Sequence, residues 1–193
     1  VASVSDNKVS VIGVSGNIPS KGINKGNVVD IDSSVEAISQ SIEKAERMAG
    51  VSISNAFVTI NGSHIETLNS HGVVAVSPSE TADITREDVA RVIEAAQAVS
   101  LPSTREIIHV IPRDFIVNSQ EGIKDPVGMS GVRLEVETNV IHGSATAMKN
   151  IAKCVNKVAI DVDELVYNGL ASAEAVLTDT EKELGTLLVD IGG

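Results

Sequence analysis

Gln120-Glu121-Gly122-Ile123-Lys124-Asp125-Pro126-Val127-Gly128-Met129-Ser130-Gly131-Val132-Arg133 is a glycine-rich stretch with more apolar side chains than a solvated loop requires. Its Gly and Pro residues break any helical or strand period, so it reads as a connection between strands. Ile107 to Ile111 and Phe115 to Asn118 read as strands before it, and Val132 to Val140 as a strand after it. Further upstream, Ile65 to Leu68 and Val73 to Val76 are expected as a strand pair around His71-Gly72, followed by a polar stretch through Pro78 and Asp83. Thr85-Arg86-Glu87-Asp88 has the form of a capping box with Asp in place of Glu or Gln. Val89, Val92, Ile93, Ala96 and Val99 follow at helical spacing, and Leu101-Pro102 ends the run. These strands packed on one helix make a unit placed at residues 61–140.

Outside that unit the style is strand and helix in turn. Lys8 to Val14 is a strand, Gly16 to Gly22 turn chemistry, and Val28 to Ile31 a short strand. Asp32 is a candidate N-cap for a helix whose apolar stripe is Val35, Ile38, Ile42, Ala45 and Met48, ending at Gly50. Ala56 to Ile60 is a strand closed by Asn61-Gly62. After the middle unit come a helix from Ser144 through Val158, a strand at Glu164 to Tyr167, a helix at Ala171 to Leu177 and a strand at Thr186 to Val189. One domain at 1–60 and 141–193, α/β in style and interrupted by an α+β insertion, accounts for this order. Val1 opens inside what reads as a strand and the chain closes on Gly192-Gly193, so both ends are expected to be cuts in a longer protein.

Fifteen Lys and Arg against 26 Asp and Glu give a formal charge of -11, which disfavours nucleic acid and anionic lipid surfaces as partners. Proteins or small molecules are expected instead. Aromatic content is 2% with no Trp, so the core must come from Val, Ile, Leu and Ala. The single cysteine, Cys154, shares helical spacing with Met148, Ile151, Val155 and Val158, so it is expected buried or half-buried. It cannot form an internal disulfide, which suits a reducing compartment. No apolar run approaches the ~18 to 20 residues of a membrane span, and no signal peptide pattern is present.

His64, His71, His109 and His142 have no His-x3-His spacing and no Cys or carboxylate cluster beside them, so no metal site is expected. His109 is most simply a packed strand residue. No Gly-x-Ser-x-Gly elbow occurs. Asp190-Ile191-Gly192-Gly193, after an apolar strand, has the parts of a phosphate loop. Glycines let backbone N–H groups approach phosphate oxygens, and a carboxylate can hold water on Mg²⁺. The same residues also describe an ordinary strand and turn.

Several stretches together carry a family resemblance: Val11-Ile12-Gly13-Val14 with Lys21 to Gly26, His109-Val110-Ile111-Pro112, the Gln120 to Arg133 loop, Gly169-Leu170-Ala171-Ser172, Glu183-Leu184-Gly185 and Val189 to Gly193. In this order, over nearly the whole chain, they resemble the FtsA family of bacterial cell division proteins in the actin and Hsp70 superfamily. The resemblance implies an actin-like (ribonuclease H-like) subdomain 1A in two parts, 1–60 and 141–193, with an SHS2-type subdomain 1C inserted at 61–140. The chain would then end in the second phosphate loop, at the start of subdomain 2A. It implies ATP bound between two lobes of a longer protein, with Asp190, Gly192 and Gly193 at the phosphates and Asp190 holding Mg²⁺ through water. The first phosphate loop would lie before Val1, and a second lobe and C-terminal amphipathic membrane helix after Gly193, so this chain alone is expected to bind little ATP.

The resemblance also implies an adaptor with weak ATPase activity at most. Glu174 is its one candidate for positioning an attacking water, and that residue reads better as a solvated carboxylate. Implied partners are FtsZ through the second lobe, later division proteins such as FtsN through 1C, and further copies in filaments. The implied location is the cytoplasmic face of the inner membrane at the septum. Val73, Ile123, Pro126, Met129 and Arg133 are candidate contact residues; the apolar loop residues either form a contact surface or pack back on the 1C helix. A type IV pilus assembly protein of the PilM kind, with a 1C-like insertion, is the alternative. The His109 to Pro112 run and the Glu121 to Arg133 segment favour FtsA. Active ATPases of the Hsp70 or sugar-kinase kind lack such an insertion.

Overall fold

A computed structural model describes residues 1–6, 8–76 and 83–191. In chain order its elements are β1 (Ala2–Ser5), β2 (Lys8–Val11), β3 (Ile23–Asn24), β4 (Asn27–Val28), α1 (Ile31–Ala49), β5 (Asn55–Ile60), β6 (Glu66–Ala75), α2 (Arg86–Gln97), β7 (Arg105–Val117), β8 (Gln120–Ile123), β9 (Arg133–Ser144), α3 (Ala145–Asn156), β10 (Asp161–Tyr167), α4 (Asn168–Val176) and α5 (Asp179–Leu184). They fall into two compact units, one of residues 65–144 and one of residues 1–64 with 145–193.

In the discontinuous unit, β5 and β10 pair in parallel while β1 with β2 and β3 with β4 form separate antiparallel pairs. Helix α1 starts at Asp30, whose carboxylate accepts from the Ser33 N–H at 2.9 Å. Asp32, expected as the cap, lies in the first turn instead, because Asp30 has the extended backbone that a cap requires. The helix ends at Gly50, at φ +72°, a left-handed conformation that Gly adopts without a Cβ penalty. Helix α3 packs against α1 and β10. The strand expected at Thr186 to Val189 does not form: among the described residues, 185–191 make no strand pairing, and a strand needs a partner to satisfy its backbone. The capping box Thr178 with Glu181 starts α5, an unexpected element.

The continuous unit holds a four-stranded antiparallel sheet in the order β6-β9-β7-β8, with α2 across one face. Where two strands were expected on either side of His71-Gly72, β6 runs straight through. Gly72 is needed for room rather than for a turn, since a Cβ there would lie 2.2 Å from the Val92 carbonyl and 3.0 Å from the Ala96 Cβ. The two strands expected around Pro112 are likewise one strand, β7, bent by irregular pairing at Ile107/His109 and Pro112/Asp114. Bulges let a strand carry a proline without breaking its ladder. The capping box at the start of α2 is complete, with Thr85 Oγ1 accepting from the Asp88 N–H and Asp88 accepting from the Thr85 N–H. Asp88 is fully buried and also accepts from Arg91 at 2.8 Å. The polar stretch expected through Pro78 lies outside the described residues.

The core of this unit is Ile84, Val92, Ala96, Phe115, Val117, Ile123, Leu134 and Val136. All are small or medium apolar residues apart from one Phe, so packing depends on close approach rather than on aromatic bulk. Gly72→Ala is expected to cost about 1–3 kcal/mol through overpacking against α2, read as a lower urea midpoint. An unchanged midpoint would show that helix and sheet are not held this tightly.

Candidate functional site

With α2 on one face of the four-stranded sheet, the strand register decides what the other face presents. Val73 lies opposite Glu135, Ala75 opposite Arg133 and His71 opposite Glu137. On the other side of β9, Glu137 lies opposite Asp114 and Glu135 opposite Ile116. Directly paired residues share a face, so His71, Val73, Arg133, Glu135, Glu137, Asp114 and Ile116 form one outer surface.

Its centre is Glu135, only 7% exposed. One carboxylate oxygen accepts from Arg133 Nη2 at 3.0 Å and lies 3.1 Å from His71 Nε2 on the neighbouring strand. A carboxylate taken out of water needs such a charged donor. Val73 is 44% exposed beside this pair. Toward β8, Asp114, Ile116, Glu121, Gly122 and Glu137 line a cavity of about 390 Å³. Lys124 pairs with Asp114 at 3.0 Å, a solvent-exposed ion pair. The combination is apolar side chains beside several carboxylates, which can seat an aliphatic side chain that ends in a positive charge.

Of the candidate contact residues, Val73 and Arg133 lie on this surface. Ile123 and Pro126 do not, and the expectation of contact surface there is corrected. Ile123 belongs to the core, Pro126 is fully buried, and Met129 packs against the same cluster. The loop is pulled inward by backbone bonds, Ile84 N–H to the Met129 carbonyl and Gly128 N–H to the Ile84 carbonyl, each 2.9 Å. Ile123, Pro126 and Met129 therefore pack back on the sheet and helix, while the loop valines Val127 and Val132 face solvent. Glu135, Glu137, Asp114, Ile116 and His71 were missed, although the alternation Arg133, Glu135, Glu137 along one strand was a visible signal.

The nucleotide candidates lie in the other unit. Asp190 is exposed and accepts from Asn168 Nδ2 at 2.6 Å. Gly192 and Gly193 lie outside the described residues. Glu174 is a surface carboxylate, both of whose oxygens take the Lys182 ammonium at 3.0 Å. Asp190 and Glu174 thus have separate partners. Among the described residues there is no group of three or more His, Cys, Asp or Glu able to hold a metal. One carboxylate occupied by an amide does not by itself make a magnesium-nucleotide site.

Comparison with known proteins gives this geometry a family. A profile described as "SHS2 domain inserted in FTSA" matches residues 62–142. The cell division protein FtsA of Pseudomonas aeruginosa is 46% identical over 188 residues, covering 97% of this chain and 44% of that protein. That of Bacillus subtilis is 46% identical over 193 residues, covering all of this chain and 43% of its own length. The chain belongs to the FtsA family. The Escherichia coli FtsA is 42% identical over 188 residues, 97% of this chain and 44% of that protein, so the chain spans less than half the length of these FtsA relatives. A solved PilM-PilN type IV pilus biogenesis complex matches at a TM-score of 0.57 and 13% identity, covering 90% of this chain and 45% of that one. That likeness shows the fold, an actin-like α/β architecture, and the profile match supplies the SHS2 insertion. Among the described residues no helix is long and apolar enough to cross a membrane.

Cys154 is a titratable thiol outside both sites. It is fully buried in α3, and burial pushes its thiol up, with Lys157 and Lys153 pulling weakly the other way. An unfolded thiol ionises near about 8.5, before the buried one does. Its contribution to stability is therefore complete below that pH and lost as pH rises toward the folded value. The urea midpoint is expected to fall more steeply above about pH 8.5 in the wild type than in Cys154→Ala. Parallel profiles would contradict this.

Proposed function

We propose that this chain is the docking part of an actin-like cell division protein, an adaptor without turnover of its own. In its full-length form the protein links the FtsZ ring to the inner membrane on the cytoplasmic side of the septum, recruits later division proteins such as FtsN, and polymerises. On this reading FtsZ binding and membrane attachment are assigned to the parts of the relatives' length that the match does not cover. The chain contributes the 65–144 unit, whose outer sheet face receives short basic tails of division proteins. The observation carrying this reading is the outer surface itself. Val73 and Ile116 lie among Glu135, Glu137 and Asp114, within a chain of net charge -11.

Carboxylates at the rim of such a surface speed and orient encounter with cationic segments, and salt weakens that effect. FtsA relatives at 42–46% identity favour division over the pilus-assembly reading, which rests on a fold likeness at 13% identity. Lys-rich and Arg-rich tail peptides, followed by fluorescence anisotropy, are expected to bind more weakly as salt rises. Glu121→Lys with Glu137→Lys should weaken binding about tenfold, the equivalent of about 1.4 kcal/mol. Binding indifferent to both salt and these substitutions would remove the electrostatic basis of the reading.

ATP in this family reading lies between two lobes, and this chain supplies only Asp190 and the glycines after it. Asp190 would orient a magnesium-bound water beside the phosphates, and Asn168 would hold that carboxylate in place. Titration of labelled ATP with Mg²⁺ against this chain is expected to give no saturable binding. Micromolar affinity would show that the chain holds a nucleotide site of its own.

A further inference from the structure

The cavity beside β8 sorts cations by shape as well as by charge. Asp114, Ile116, Glu121, Gly122 and Glu137 line it, all within the 65–144 unit, and its volume of about 390 Å³ is near the lower end of ligand pockets. Ile116 is half-buried and supplies an apolar floor. Gly122, at φ +76°, has open space where a Cβ would point, so that part of the wall carries no side chain.

The carboxylates around this floor are unevenly partnered. Asp114 pairs with the Lys124 ammonium at 3.0 Å. Glu137 faces Asp114 across the β7–β9 ladder, yet Glu137 and Glu121 are both exposed and make no hydrogen bond or ion pair among the described residues. Lys124 thus shows what an ammonium achieves here: it engages one carboxylate and leaves the other two. A metal ion meets the same obstacle, because Asp114, Glu121 and Glu137 do not converge into a group able to hold one. Both are point charges, which need their acceptors gathered at one place. A guanidinium is planar and presents five N–H donors in several directions, so it can bond carboxylates that stand apart.

We propose that this cavity is an arginine subsite, in which one Arg side chain of a docking segment lays its stem on Ile116 and spans Glu121 and Glu137 with its guanidinium, while Asp114 stays with Lys124. The apolar stem and the charged head each find their match, as long cationic side chains require. The proposal rests on the docking reading above and narrows its partner from basic tails in general to tails that offer arginine. Long-range attraction to a chain of net charge -11 treats Lys and Arg alike. Discrimination between them must come from short-range geometry.

Two tail peptides of equal length and charge, one with every cation Arg and the other with every cation Lys, are compared by fluorescence anisotropy. The Arg peptide is expected to bind the wild-type chain about tenfold more tightly. Glu121→Gln with Glu137→Gln is expected to abolish that preference while leaving far-ultraviolet circular dichroism unchanged, since both side chains are exposed. Equal affinities on the wild type, or a preference that survives the double substitution, would overturn the arginine subsite and leave the docking reading to stand on its salt dependence. Failure of both peptides to bind would remove the docking reading and the subsite together.

Discussion

The close approach of α2 to β6 at Gly72 is the constraint on which the 65–144 unit depends. With hydrogen as its side chain, that residue lets the Val92 carbonyl and Ala96 come within a distance no Cβ would tolerate. Ser70 strengthens the same seam by donating its hydroxyl to the Ala96 carbonyl at 2.7 Å. Arg91 does so at the other end through the Ala75 carbonyl at 2.9 Å. The helix is thus tied to the sheet along its length, and a core nearly free of aromatic residues can be dense because backbone and small side chains supply the contacts.

That seam also assigns the chemistry of the opposite face. Once Val74, Leu134, Val136, Phe115 and Val117 are committed to α2, strand alternation sends their neighbours outward, and those neighbours are His71, Val73, Arg133, Glu135, Glu137 and Asp114. The outer surface is thus the complement of the core pattern. Burial of Glu135 beneath His71 and Arg133 fixes β6 and β9 in register at that point, because a slip of one residue would put His71 on the opposite face from Glu135 and Arg133.

Helices were the most legible parts of the sequence. The α2 capping box and its apolar spacing gave the helix start directly, and Gly50 gave the end of α1. Strand limits were less legible, for physical reasons. Gly72 looks like a turn when only local preference is read, because its reason for being Gly is a helix distant in sequence. Pro112 looks like a strand break, because a bulge depends on the partner strand. The Gln120 to Arg133 loop announced its apolar content but not its direction, and the Ile84 backbone bonds that turn it inward come from outside the loop. Thr178 and Glu181 carried a readable capping signal for α5 that a six-residue helix made easy to pass over.

The order β6-β9-β7-β8 places the first strand of the sheet beside the last long one, Glu66 across from His142. During synthesis β6 therefore emerges without its hydrogen-bonding neighbour, and the ribosome must add everything through β9 first, a delay of several seconds at ~5–20 residues per second. Local contacts can assemble α2 in that interval, whereas closing the sheet must await the long-range pairing and its loop entropy. The insertion is therefore committed late and all at once, and a nascent chain stalled before Arg133 would present β6 bare to chaperones.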